Sequence, residues 1–269
     1  MDQAKYLEMV KRNPYTLEHI ENPSEDIMLE AVRRNGMVLQ YIKNPPLNVA
    51  EAAIENEARA IQFLSDPPAD LAKKAICKSW ANLEYIHNPS RKLITTALSY
   101  SGWAIKYVRD PDEALQLEAV KKNFDAVKYI DNPSQEIQEA AAAQSYAALR
   151  YIDDPVFSAE ALAVKNDEQA LRFIKNLTTE KFIALFKINS LILKYMPPNF
   201  AIAVDAVEEA LCQVIGSEEV DEKYIRDLLN NHSIGRTVST MPIDVIALID
   251  EYGSPKTRRI TVDEKLKFT

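Results

Sequence analysis

Residues 110–131 read DPDEALQLEAVKKNFDAVKYID, and the same 22-residue sentence recurs along most of the chain. Its opening dipeptide is the clearest marker. Pro23, Pro45, Pro67, Pro89, Pro111, Pro133 and Pro155 stand 22 residues apart without insertion or deletion. The residue before each is Asn22, Asn44, Asp66, Asn88, Asp110, Asn132 or Asp154, and a further copy keeps Asn176 before Leu177. Asn and Asp accept hydrogen bonds from the free amides of a first helical turn, and proline at the next position has no amide to leave unsatisfied. Glu25, Glu113 and Gln135, three residues after their caps, fit a capping box. The reading is that each Asn/Asp-Pro opens a helix with Asn or Asp as its cap.

A second register of caps lies thirteen residues on, at Asn13, Asn35, Ser79, Ser101, Asn123, Ser145, Asp167 and Asn189, interrupted by Glu57. Each unit is therefore expected to hold two short helices of about eleven and eight residues, in nine copies over residues 2–197. The interior agrees. A column of small residues runs through Ala31, Ala53, Ala75, Ala97, Ala119, Ala141 and Ala163, and the second helix contributes Leu17, Leu39, Ile61, Leu83, Ile105, Val127, Leu149, Leu171 and Leu193. No unit this small buries its apolar stripe alone, so neighbours must stack into a shared core. The fold class expected is all-α: an α-solenoid of two-helix repeats with a small helical cap. An aromatic column, Tyr41, Phe63, Tyr85, Tyr107, Tyr129, Tyr151, Phe173 and Tyr195, is read as part of that core.

The elements Asn132-Pro133-Ser134 and Ala119-Val120-Lys121-Lys122-Asn123 resemble tandem-repeat domains of unknown function common in bacteria and bacteriophages. The cap-and-proline style is similar to variant leucine-rich and HEAT-like solenoids. The resemblance covers residues 2–197; it implies binding, carries over no catalytic residue, and with a phage origin implies interference with a host protein.

Past Pro197-Pro198 the period stops. Residues 198–254 are expected to form a helical cap of three helices: Phe200–Ile215; a second opened by Ser217 with an acidic first turn over Glu218–Glu222; and Pro242–Tyr252. Residues 255–269 are expected to be an extended tail.

Chemistry-bearing patterns are sparse. His19, His87 and His232 have no second ligand nearby in sequence, and Cys77 and Cys212 form no framework. None of the common metal, nucleotide or nucleophile motifs can be assembled. The expectation is a non-enzymatic protein with no metal and no cofactor. A net charge of -8 counts against broad binding to nucleic acid or anionic membranes. The N-terminus lacks the apolar core of a signal peptide, and no apolar run reaches membrane-spanning length. A soluble, cytoplasmic protein without a membrane partner is expected.

Function in repeat proteins sits where the columns vary. The position before the aromatic column reads Glu18, Gln40, Gln62, Glu84 and then Lys106, Lys128, Arg150, Arg172 and Lys194. This basic row reads in two ways. It is either a face for an acidic protein or a phosphate backbone, or a solvated face whose charges pair with Asp125, Asp153 and Glu168 at helical spacing. Large rings, Trp80, Trp103, Phe124 and Tyr146 with Tyr100 nearby, replace small residues at the start of the second helix in the middle repeats. They are either interface anchors or gap fillers. The function expected is a protein-binding scaffold using these rings and cations; the alternatives are a nucleic-acid binder, and a small-ligand protein or enzyme whose site the sequence does not display.

Overall fold

Two cap registers per repeat should produce two helices per repeat, and they do, with one difference of kind. The computed structural model describes residues 3–235 and 240–266. Its repeat α-helices are α1 (Gln3–Arg12), α2 (Glu25–Arg34), α3 (Leu47–Asn56), α4 (Ala69–Lys78), α5 (Arg91–Tyr100), α6 (Glu113–Lys122), α7 (Gln135–Gln144), α8 (Phe157–Asn166) and α9 (Thr179–Phe186). The second helix of each repeat is a six-residue 3₁₀ helix, from Pro14–His19 in the first repeat to Ser190–Tyr195 in the ninth. The fold is an all-α, solenoid-like array of helical repeats, with no strand among the described residues.

The 3₁₀ geometry follows from the spacing of the apolar columns. Leu39 and Ile42 are three residues apart, and three residues per turn places them on one face. The Ile42 amide then closes the helix on the Leu39 carbonyl at 3.0 Å. At the other end six of the expected caps hold: Asn13, Asn35, Ser101, Ser145, Asp167 and Asn189 each accept from the amide two residues on. Ser79 makes no side-chain cap bond, and Asn123 accepts from the Gly102 amide of the preceding repeat instead. Glu57, the residue that interrupts the register by type, also caps its helix by accepting from the Arg59 amide.

The first register is corrected. Asn22, Asn44, Asn88, Asp110, Asn132 and Asn176 adopt left-handed backbone, with φ between 46° and 51°, and none of them caps a helix. Asn and Asp are the non-glycine residues that tolerate this conformation best. They end the 3₁₀ helix in a tight turn, and the α-helix begins two residues later, at caps such as Ser90, Asp112 and Thr178.

Close approach between repeats explains the small columns. Ala31, Ala53, Ala75, Ala97, Ala119, Ala141 and Ala163 have no exposed surface. A Cβ on Gly102 would lie 2.1 Å from the Ala119 carbonyl oxygen of the next repeat. Repeats are also tied by side chains that cap the carbonyls of the preceding α-helix. Asn56 donates to Arg33 O at 2.9 Å while accepting from the Gly36 amide at 2.7 Å, and Asn166 donates to Ala143 O at 3.1 Å.

The chain divides into two compact units, Met1–Ile130 and Asp131–Thr269. The second unit includes α10 (Val204–Ile215), α11 (Glu222–Leu229), α12 (Val245–Tyr252) and α13 (Pro255–Leu266). Here the structure shifts four boundaries, the first being that of α10, which starts at Val204 rather than at Phe200. Helix α11 is capped by Asp221, which accepts from Lys223, so Glu218–Val220 form a turn that buries Val220. Helix α12 starts after Asp244 rather than at Pro242, because Met241 is tied back to Ile234 in an isolated bridge. The expected extended tail is a helix as far as Leu266, and residues 267–269 lie outside the described residues. Thr257, Ile260, Thr261 and Glu264 make one buried stripe at helical spacing. Thr257 Oγ1 donates to Ile215 O at 2.7 Å, and Arg226 pairs with Glu264, fixing α13 against α10 and α11.

Candidate recognition face

The rings and cations singled out in the sequence sit on or beside the 3₁₀ helices, and each unit carries its own group of them.

In the first unit, Trp80 opens one 3₁₀ helix and Trp103 is the second residue of the next, following Gly102. Their rings meet edge to face at 6.5 Å, and Trp80 also lies 6.3 Å from Tyr107. Trp103 remains 39% exposed. Its indole N–H donates to Asp125 Oδ1 of the following repeat at 2.7 Å. Lys128 Nζ donates to the other carboxylate oxygen at 3.3 Å and lies 5.2 Å from the Trp103 ring and 4.9 Å from Tyr129. Burial works against the Lys128 ammonium, but Asp125 outweighs it and holds the pKa above the usual lysine value. Lys106 lies 5.3 Å from its neighbour Tyr107 and 6.0 Å from Tyr129. Trp80, Trp103, Lys106 and Lys128 therefore form one cluster of rings interleaved with ammonium groups.

Two expected members stand apart from these contacts. Tyr100, 51% exposed, ends α5, and the neighbouring Cys77 thiol of α4 raises its pKa. Phe124 is half-buried and makes no ring contact among the described residues.

The second unit repeats the motif with arginine. Tyr146 stacks on Phe173 at 5.8 Å, and the Arg150 guanidinium lies 5.0 Å from the same ring. Arg172 lies 4.5 Å from Tyr195, and Lys194 is 3.9 Å from Glu168.

The aromatic column packs against the core, as expected, but at its margin rather than inside it: Tyr41, Phe63, Tyr85, Tyr107, Tyr129, Phe173 and Tyr195 each lie against the buried cluster of their own unit. Its rings are half-buried, and Tyr151 is 38% exposed. Rings such as Phe173 and Tyr195 carry on one side a cation from the preceding repeat, an arrangement that keeps both groups at the surface. Among the described residues two cations of the row pair with an acid, Lys128 with Asp125 and Lys194 with Glu168, so the solvated-face reading holds for part of the row. Asp153 sits 3.7 Å from Lys175.

Other chemistry is thin. Among the described residues no three His, Cys, Asp or Glu side chains gather as a metal site, and no helix is long and apolar enough to cross a membrane. A cavity of about 560 Å³ in the second unit is floored by Ile183, Ala184, Ile188 and Ala210. Compared with protein-family models, with curated proteins and with solved structures, the chain finds no match.

Proposed function

We propose that this chain is a non-catalytic scaffold that binds a protein, with the Trp80, Trp103, Lys106 and Lys128 cluster as one anchor point. The observation that carries the reading is Trp103, a large ring 39% exposed and yet held in place by Trp80, Asp125 and Lys128. Aromatic side chains that are rigid before binding lose little conformational entropy on contact, and tryptophan is the residue most enriched among interface hot spots. The flanking lysines favour a partner with an acidic surface. A partner held this way is sequestered or inhibited, which is also the activity the phage-type resemblance implies.

The test is capture from native cell lysate on the immobilised full chain, with nuclease, at low and moderate salt. The expected result is one stoichiometric protein partner, retained at moderate salt and lost with Trp103→Ala. Recovery of nucleic acid only when nuclease is omitted, vanishing as salt rises, would replace this reading with phosphate-backbone binding.

A further inference from the structure

The paired arginines of the second unit carry a more specific inference. Arg150 and Arg172 occupy the same position in successive repeats and are both exposed. Each guanidinium lies over an aromatic ring of the following repeat, Phe173 and Tyr195. Neither has a carboxylate within ion-pair distance among the described residues; Asp153 and Glu168, acids three and four residues away in sequence, lie 3.7 and 3.9 Å from Lys175 and Lys194. A guanidinium drawn over a ring by cation–π attraction keeps N–H donors to spare, and its planar fork matches a carboxylate bidentately.

Spacing selects the ligand. Packed helices lie about 8–10 Å apart, so equivalent side chains of adjacent repeats recur at that step. A polyproline II segment rises about 3.1 Å per residue and returns to the same face every third residue, a step of about 9 Å. Aromatic walls of this kind also suit proline-rich chains. We infer that Arg150 and Arg172 receive an extended acidic segment of a partner protein, in polyproline II conformation, with carboxylates three residues apart. This rests on the scaffold reading for the existence of a partner but uses a different unit and different residues. A phosphate backbone is the lesser fit, given the chain's net charge of -8.

The experiment uses the full chain and labelled synthetic peptides read by fluorescence anisotropy. One peptide carries Glu at every third position between prolines. The second has the same composition with its glutamates in one block, and a single-stranded oligonucleotide of equal charge is the third probe. The expected result is that the periodic peptide binds at least about five-fold tighter than the block peptide and the oligonucleotide. Arg150→Lys with Arg172→Lys, which keeps charge and removes the planar fork, is expected to weaken it by about ten-fold with an unchanged circular dichroism spectrum. Equal affinity for the two peptides, wild-type affinity in the lysine variant, or tighter binding of the oligonucleotide each overturns the inference. Lysate capture that depends on Trp103 without periodic-peptide binding overturns it too, and leaves the scaffold reading standing. Periodic-peptide binding that Trp103→Ala does not alter supports it whatever the lysate yields.

Discussion

The indole nitrogen of Trp103 and the carboxylate of Asp125, 22 residues apart in the chain, are 2.7 Å apart in space. The bond spans one repeat step, and Lys128 completes it from the far side of the carboxylate. Asp125→Ala is expected to remove both contacts, red-shifting tryptophan emission as the ring loosens and lowering stability by about 1 kcal/mol. Asp125→Asn keeps an acceptor for the indole, so its emission should stay near the parent's. Emission spectra and urea titrations of the two variants check this, and identical spectra for both would show that the hydrogen bond does not hold the ring.

Asn44 and Asp66 stand at equivalent positions before nearly identical Pro-Pro turns, yet Asn44 has φ of 51° and Asp66 is not left-handed. Threonine is a capable N-cap but strained in left-handed backbone. Asn44→Thr is therefore expected to cost about 1–2 kcal/mol, and Asp66→Thr less than about 0.5 kcal/mol. Urea midpoints of the two variants decide it. Equal, small losses would return Asn44 to the role of a cap.

The repeat length, the two-helix unit and the alanine column were all legible because proline, small and apolar residues recur with one period. What the sequence hid has a common cause. Asn and Asp serve both caps and left-handed turns, so residue type alone could not place Asn22 or Asn132; the better sign was Ser24, Ser90 or Ser134 two residues later. The 3₁₀ geometry was available in the three-residue step between Leu39 and Ile42, but a short apolar pair fits either helix. That choice then decides the charges. In an α-helix Glu168 and Arg172, four apart, would be neighbours, whereas three residues per turn rotates them by about 120°. Asp125 and Lys128, three apart, eclipse and pair at 3.3 Å. The cations free to bind were thus invisible until the helix type was known. The final helix was missed because its buried stripe uses threonine and glutamate around a single isoleucine, Ile260.

Glu160 interrupts a column in which Gln116 and Gln138 donate to Pro111 O and Pro133 O at 2.7 and 2.9 Å. It has no exposed surface. Lys181 Nζ lies 2.9 Å from Oε2 and donates to Oε1 at 3.0 Å, while Oε2 accepts no well-directed hydrogen bond. Burial raises the Glu160 pKa; the Lys181 hydrogen bond and charge work the other way, and Asp154 adds to the rise. A carboxyl whose folded pKa exceeds its unfolded value binds more protons when folded, so its contribution to stability falls as pH rises from the ordinary carboxylate range through the raised value. Glu160→Gln removes that loss and supplies an amide able to donate to Pro155 O as its column mates do. Lys181 keeps the Lys175 carbonyl at 3.2 Å and partial access to water. The variant is expected to be more stable than the parent by about 1 kcal/mol at neutral pH, with the gap closing as the pH is lowered. Urea midpoints at pH 7 and near pH 4.5 measure it. A variant less stable at pH 7, or a gap that widens on acidification, would mean that the Lys181 ion pair outweighs the burial of the charge.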